Sequence, residues 1–244
     1  MKRLIAVMMA AGFVLSASAD ILEQWTYDEA AGTQLHQTIN SGSVGTSWNW
    51  GDPAKWLVDG NGNLDTLPPN TDYKTSQNFP AALGGSDTYT MKITLGAWDI
   101  PAAAADAQLK WRLRSSASSG TIMGIQSKMS STGLKFTLIS AGTNYRDYDA
   151  GGLTGSAATA SIDFNVAAGT ATYFVNGVEM ESFSGLSFGS MELFGMNKEG
   201  DWSDAGRVFK IDEQVLSVVP EPATVSLFAL VGAGLMAIRR LRAV

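Results

Sequence analysis

Cysteine is absent from the 244 residues. Disulfide staples, thiol catalysis and thiolate metal sites are therefore excluded, and stability has to come from packing and hydrogen bonding. Histidine occurs once, at His36, so a multi-histidine zinc site is impossible and a Ser/His/Asp hydrolase would have to be built on that single residue. Positive charge is scarce as well. Between residues 20 and 219, 12 Lys+Arg stand against 22 Asp+Glu, a net charge of −10. An excess of that sign repels phosphate backbones and anionic lipid, which argues against nucleic acid as a partner, and it favours solubility. Helical periodicity is also missing. Outside the two ends no ten-residue stretch keeps a helical stripe, and Ala102 to Ala107 after Pro101 supports at most one turn.

Long apolar runs are confined to the two ends. Met1-Lys2-Arg3 is a basic start, Leu4 to Leu15 an apolar stretch of secretory-signal length, and Ala17-Ser18-Ala19 a set of small residues that signal peptidase accepts, with cleavage expected before Asp20. At the other end Pro220-Glu221-Pro222 precedes the uncharged run Ala223 to Ile238, followed by Arg239, Arg240 and Arg242. Sixteen helical residues span about 24 Å, and snorkelling arginines extend the reach toward the ~30 Å hydrocarbon core. The terminal arginines hold that end in the cytoplasm, so the body is expected across the inner membrane. The domain reading is residues 1–19 as signal peptide, 20–217 as ectodomain and 218–244 as tail.

This tail resembles the PEP-CTERM sorting signal: Pro220, Glu221 and Pro222 match the tripeptide, 223–238 the hydrophobic segment and 239–242 the basic cluster. The resemblance covers about the last 25 residues. It implies an exosortase as processing enzyme, cleavage near the tripeptide, and a destination on the cell surface or in the extracellular matrix of a Gram-negative bacterium. Physically, two prolines around Glu221 keep the chain extended and open to a peptidase; the alternative is an ordinary stop before a membrane anchor.

Between the ends the pattern is period two. Leu109, Trp111 and Leu113 alternate with Lys110, Arg112 and Arg114, as expected of a half-buried strand with one wet face. Leu134, Phe136 and Leu138, and then Ile162, Phe164 and Val166, repeat it. Thr170 to Val175, Asn176-Gly177 and Val178 to Phe183 read as a hairpin on a type I′ turn. Further strands are expected at Ile21–Tyr27, Thr90–Leu95, Thr121–Gln126, Met191–Met196 and Arg207–Leu216. Residues 32–85, rich in Gly, Asn, Ser, Thr and Pro, read as long loops. About nine such strands make an all-β fold, an antiparallel two-sheet sandwich.

The segments Trp25 to Thr33, Asn40-Ser41-Gly42 with Trp48, Tyr173 to Gly177 and Phe209 to Asp212 resemble concanavalin-like and laminin-G-like jelly rolls. That resemblance implies the jelly-roll fold and leaves the ligand open. Laminarinase-type enzymes of that fold carry a Glu-x-Asp-x-Glu or Glu-x-Asp-x-x-Glu strand, and no such string occurs here. The same-face acid pairs Glu179/Glu181 and Asp147/Asp149 offer a glycosidase geometry on paper, but acids just past a hairpin turn read better as a solvated face.

Two loop clusters remain. Asp59, Asn61, Asn63 and Asp65 place oxygen ligands at alternate positions, which suits calcium, although ordinary turns are made of the same residues. Trp48, Trp50 and Trp56 are candidates for a glycan-stacking platform or for a satellite core under the loop. The leading functional reading is a non-catalytic surface protein with structural or glycan-binding duty and no required cofactor; a polysaccharide-active enzyme and a calcium-dependent adhesion module are the alternatives.

Overall fold

The computed structural model describes residues 20–42, 48, 50–51, 56–65, 73–83, 88–101, 107–114, 121–140, 144–188, 191–200 and 208–219. The expected signal peptide, the Pro220-Glu221-Pro222 tripeptide, the 223–238 segment and all but Ala107 of the 102–107 turn lie outside them. Among the described residues no helix is long and apolar enough to cross a membrane.

Alternating side chains produce strands throughout. In chain order they are β1 (Asp20–Trp25), β2 (Trp50–Gly51), β3 (Leu57–Val58), β4 (Leu64–Asp65), β5 (Tyr73–Leu83), β6 (Thr88–Asp99), β7 (Ala107–Arg114) and β8 (Thr121–Ser130). There follow β9 (Gly133–Ser140), β10 (Asn144–Gly151), β11 (Thr154–Gly155), β12 (Ala158–Asn165), β13 (Thr170–Val175), β14 (Val178–Phe183), β15 (Met191–Gly200) and β16 (Val208–Val219). Among the described residues the one helical element is a 3-10 turn, Leu35–Gln37.

Two sheets result. The first runs β14-β13-β12-β6-β16-β4-β3, with β1 joined to β16 and β11 to β6; the second runs β10-β9-β8-β7-β15-β5-β2. The pairings are antiparallel, and the two sheets stack as a sandwich consistent with a jelly roll. The core lies between them. Leu109, Trp111, Leu113, Ile125 and Phe136 from the second sheet meet Met91, Ile93, Ile162, Phe164 and Tyr173 from the first in one buried cluster. Each large apolar side chain so buried contributes about 1.5–3 kcal/mol, which is how a chain without disulfides holds together. The tyrosine hydroxyl of Tyr173 donates across the core to the Ile139 carbonyl at 3.1 Å.

The hairpin forms as expected: Asn176 and Gly177 have φ of 50° and 75°, the two positive values a type I′ turn requires. The expectation of loops over 32–85 is corrected at its far end, where β5 is an eleven-residue strand paired with β15. Its sequence hides it because Pro80 cannot donate to a ladder; the register jump between Met191 and Leu193, which face Leu83 and Asn78, absorbs that defect. Strand β16 also continues to Val219, opposite Thr88, three residues beyond the Leu216 end read from the sequence. The compact unit spans Ala19–Val219.

Candidate ligand-binding surface

The 59–65 loop is a turn built around one carboxylate. Asp59 Oδ1 accepts from the Asn61 amide at 2.7 Å and the Asn63 amide at 3.2 Å, while Lys210 donates its ammonium to Oδ2. Burial works against ionisation here, but the Lys210 ammonium and then the two amides outweigh it and hold the Asp59 carboxyl below its ordinary range. Asn63 Nδ2 also points inward, at 3.4 Å from Asp59 Oδ2, and Asp65 lies on β4 opposite Leu57 and Lys210. The donors thus converge where a calcium ion would have to sit, and Lys210 already supplies the positive charge. Among the described residues no group of three or more His, Cys, Asp or Glu side chains gathers to hold a metal.

The tryptophans divide similarly. Trp48 and Trp56 are each 1% exposed and belong to the core, with Trp48 tilted against Trp25 at 5.2 Å between ring centroids. Their faces rest on protein, so these two rings belong to the main core and not to a stacking platform. Trp50 opens β2 opposite Ser76.

The acid pairs do not face a common cleft. A register shift in the β13–β14 ladder sets Glu179 opposite Phe174 and Glu181 opposite Tyr173, and since Phe174 and Tyr173 occupy opposite faces, the two acids diverge. This corrects the same-face reading of Glu179 and Glu181, which assumed unbroken alternation. Glu179 is exposed and accepts from Ser182 at 2.8 Å. Glu181 turns toward the open side of the sandwich, where the Tyr148 hydroxyl donates to it at 2.7 Å and Arg146 lies 3.3 Å away. Burial, followed by the Glu181 hydrogen bond and charge, pushes the Tyr148 phenol up to about 12. Asp147 accepts from Thr137 at 2.5 Å and Asp149 lies 3.6 Å from Lys135.

One extended surface does assemble polar side chains in order: the outer face of the second sheet. On β7 the core-facing Ala107, Leu109, Trp111 and Leu113 alternate with Gln108, Lys110, Arg112 and Arg114. Ladder register then lines up rows across the face, one running Gln108, Lys128, Lys135, Asp149 and the next Lys110, Gln126, Thr137, Asp147. A third runs Gly195, Arg112, Gly124, Ile139. Arg112 therefore has a glycine on each side. A side chain at Gly124 would begin 2.5 Å from the Trp111 carbonyl and 3.4 Å from Arg112 Cγ, so the close approach of β7 and β8 requires the missing Cβ. Alternation in the sequence showed Lys110, Arg112 and Arg114 on one wet face; the structure agrees on the shared face but leaves the three partly buried, beside buried Gln126, Thr137 and Ile139, and that Lys128 and Lys135 join them depends on register, which no local pattern encodes. The glycine within β8 was the available signal.

No family model matches the chain, and no curated protein matches it. Solved structures do. The botulinum neurotoxin serotype D binding domain aligns with a TM-score of 0.52 at 9% identity, over 81% of this chain and 48% of that one. The serotype G binding domain aligns at 0.50 and 13% identity, over 80% and 47%. A serotype D ligand binding domain in complex with N-acetylneuraminic acid aligns at 0.50 and 10% identity, over 81% and 47%. The chain spans about half the length of the solved structures it matches. At these identities the likeness is one of fold.

Proposed function

We propose that this chain is a non-catalytic protein of the cell surface or extracellular matrix whose sandwich binds polysaccharide. The observation that carries the reading is the ordered outer face of the second sheet, where hydrogen-bonding side chains of Gln108, Lys110, Arg112, Gln126, Lys128 and Thr137 stand in register. A binding face of this kind needs no reacting groups. A serotype D ligand binding domain that this chain matches over 47% of that domain's length is solved in complex with N-acetylneuraminic acid, which is in keeping with a saccharide ligand. The enzyme alternative draws less support, because Glu181 is occupied by Tyr148 and Arg146 and Glu179 lies on the other face.

The address is part of the proposal: residues 1–19 direct export, the ectodomain follows, and residues 218–244 act as the sorting tail, read by an exosortase at Pro220-Glu221-Pro222 and anchored meanwhile in the inner membrane. The test of the binding reading is retention of the full-length chain on columns of neutral and of acidic polysaccharide, with the eluate assayed for new reducing ends. Retention on at least one column without new reducing ends is expected. Accumulating reducing ends would replace this reading with the enzyme, and no retention on any column would remove it.

A further inference from the structure

Building on the polysaccharide reading, we infer that the outer face of the second sheet is a site for a carboxylate-bearing glycan, a polyuronate chain lying along β7 with its acids on Lys110, Arg112 and Arg114. Five of the 12 basic residues between 20 and 219 stand on this one face: Lys110, Arg112, Arg114, Lys128 and Lys135. In a domain with net charge −10 an even spread would leave every face negative, so the clustering reverses the local sign of the field. Of the described acids on the face, Asp147 and Asp149 sit on β10 at the sheet edge and engage Thr137 and Lys135, and Glu199 of β15 stands opposite Gln108 at the end of β7.

The shape selects among polyanions. Lys110, Arg112 and Arg114 alternate along one strand, so successive cations are about 6.8 Å apart, twice the strand rise. All three are partly buried between neighbours, and Arg112 lies across a row with Gly195 and Gly124 on either side. Recessed charges in a line admit a single narrow chain, whereas a bilayer meets protruding tips. A planar guanidinium pairs with a carboxylate through two parallel hydrogen bonds. Lys110, Arg112 and Lys128 also make polar or electrostatic contacts within the chain, so affinity comes from the summed field and shared donors. Gln126 and Thr137, 5% and 3% exposed, hold the floor of the adjacent row.

The experiment is binding of the full-length chain to an oligogalacturonate, a neutral cello-oligosaccharide, a single-stranded oligonucleotide and anionic phosphatidylglycerol vesicles, for wild type, the double variant R112Q/R114Q and the control Lys92→Gln on the other sheet. Circular dichroism melts establish that each variant is folded, and Arg114→Lys serves as a milder variant should the double variant unfold. The expected result is selective oligogalacturonate binding that weakens about tenfold between about 50 and 200 mM salt. It should weaken about tenfold or more in R112Q/R114Q, less in Arg114→Lys, and not at all in Lys92→Gln. Binding of the neutral oligosaccharide alone would overturn the acidic-glycan site and leave polysaccharide binding standing. Binding of neither saccharide would remove both readings. Equal, arginine-dependent binding of the oligonucleotide or the vesicles would replace the glycan site with a general polyanion surface.

Discussion

Asp59 illustrates how much a single residue decides. Its carboxyl is held low by Lys210 and two amides against the cost of burial, so the stabilisation is present above the ordinary carboxylate value and is lost as pH falls through the lower, folded one. Lys210→Met should cost about 1–3 kcal/mol near neutral pH, read from urea melts, and the gap from wild type should narrow as pH falls below the ordinary carboxylate range; an unchanged midpoint near neutrality would mean the pair contributes nothing. Tyr148 gives the opposite limb. With its phenol pushed up to about 12 by burial and by Glu181, the folded form favours the protonated ring, and its contribution disappears as pH rises from the free phenol range through that value. Glu181→Gln removes the anionic acceptor. Burial holds the Tyr27 phenol high as well, so ultraviolet titration should show late-ionising tyrosines in the wild type, of which Tyr148 moves toward the bulk in the variant; no movement would mean that burial alone sets the value. Both residues were visible in the sequence, but their partners, Lys210 and Glu181, lie 151 and 33 positions away, beyond the reach of any local pattern.

At the scale of the element, strand chemistry was legible wherever alternation was clean. Leu109, Trp111 and Leu113 announce β7, and Asn176-Gly177 announces the hairpin. Strand β5 was not legible because Pro80 interrupts it and only the ladder with β15 makes it a strand. The Glu179 and Glu181 faces were misjudged for a related reason: an irregularity shifts the register by one residue and sends alternate side chains to opposite faces. That irregularity has its own use. Strands β10 and β14 end their sheets, and the charges of Arg146, Asp147, Asp149, Glu179 and Glu181, with the register shift in β14, deter pairing with another chain. Gly177→Ala tests the hairpin. Nothing lies within 4 Å of the added methyl, so the cost should be backbone alone, about 1 kcal/mol, seen as a lower urea midpoint with unchanged slope.

For the whole molecule two outcomes are expected. Chelation with EDTA should leave the thermal midpoint unchanged, since Lys210 already neutralises Asp59; a fall in the midpoint would restore the calcium-dependent adhesion reading. In a host with its sorting enzyme, intact mass and fractionation should show the wild type without residues beyond about 222 and away from the inner membrane, with a Pro220→Ala, Glu221→Ala, Pro222→Ala variant keeping its tail there. If both keep the tail in one membrane, the C-terminus is an anchor only. The all-β class, the absence of thiol chemistry and the net negative charge were determined by the sequence alone, because composition and side-chain periodicity are local properties that survive without coordinates. Tertiary structure decided which way Glu181 faces, that Trp48 and Trp56 are buried, that Asp59 serves a lysine, and that five cations share one sheet face. Each of those depends on ladder register between strands distant in sequence, and register is set by the fit of the whole core.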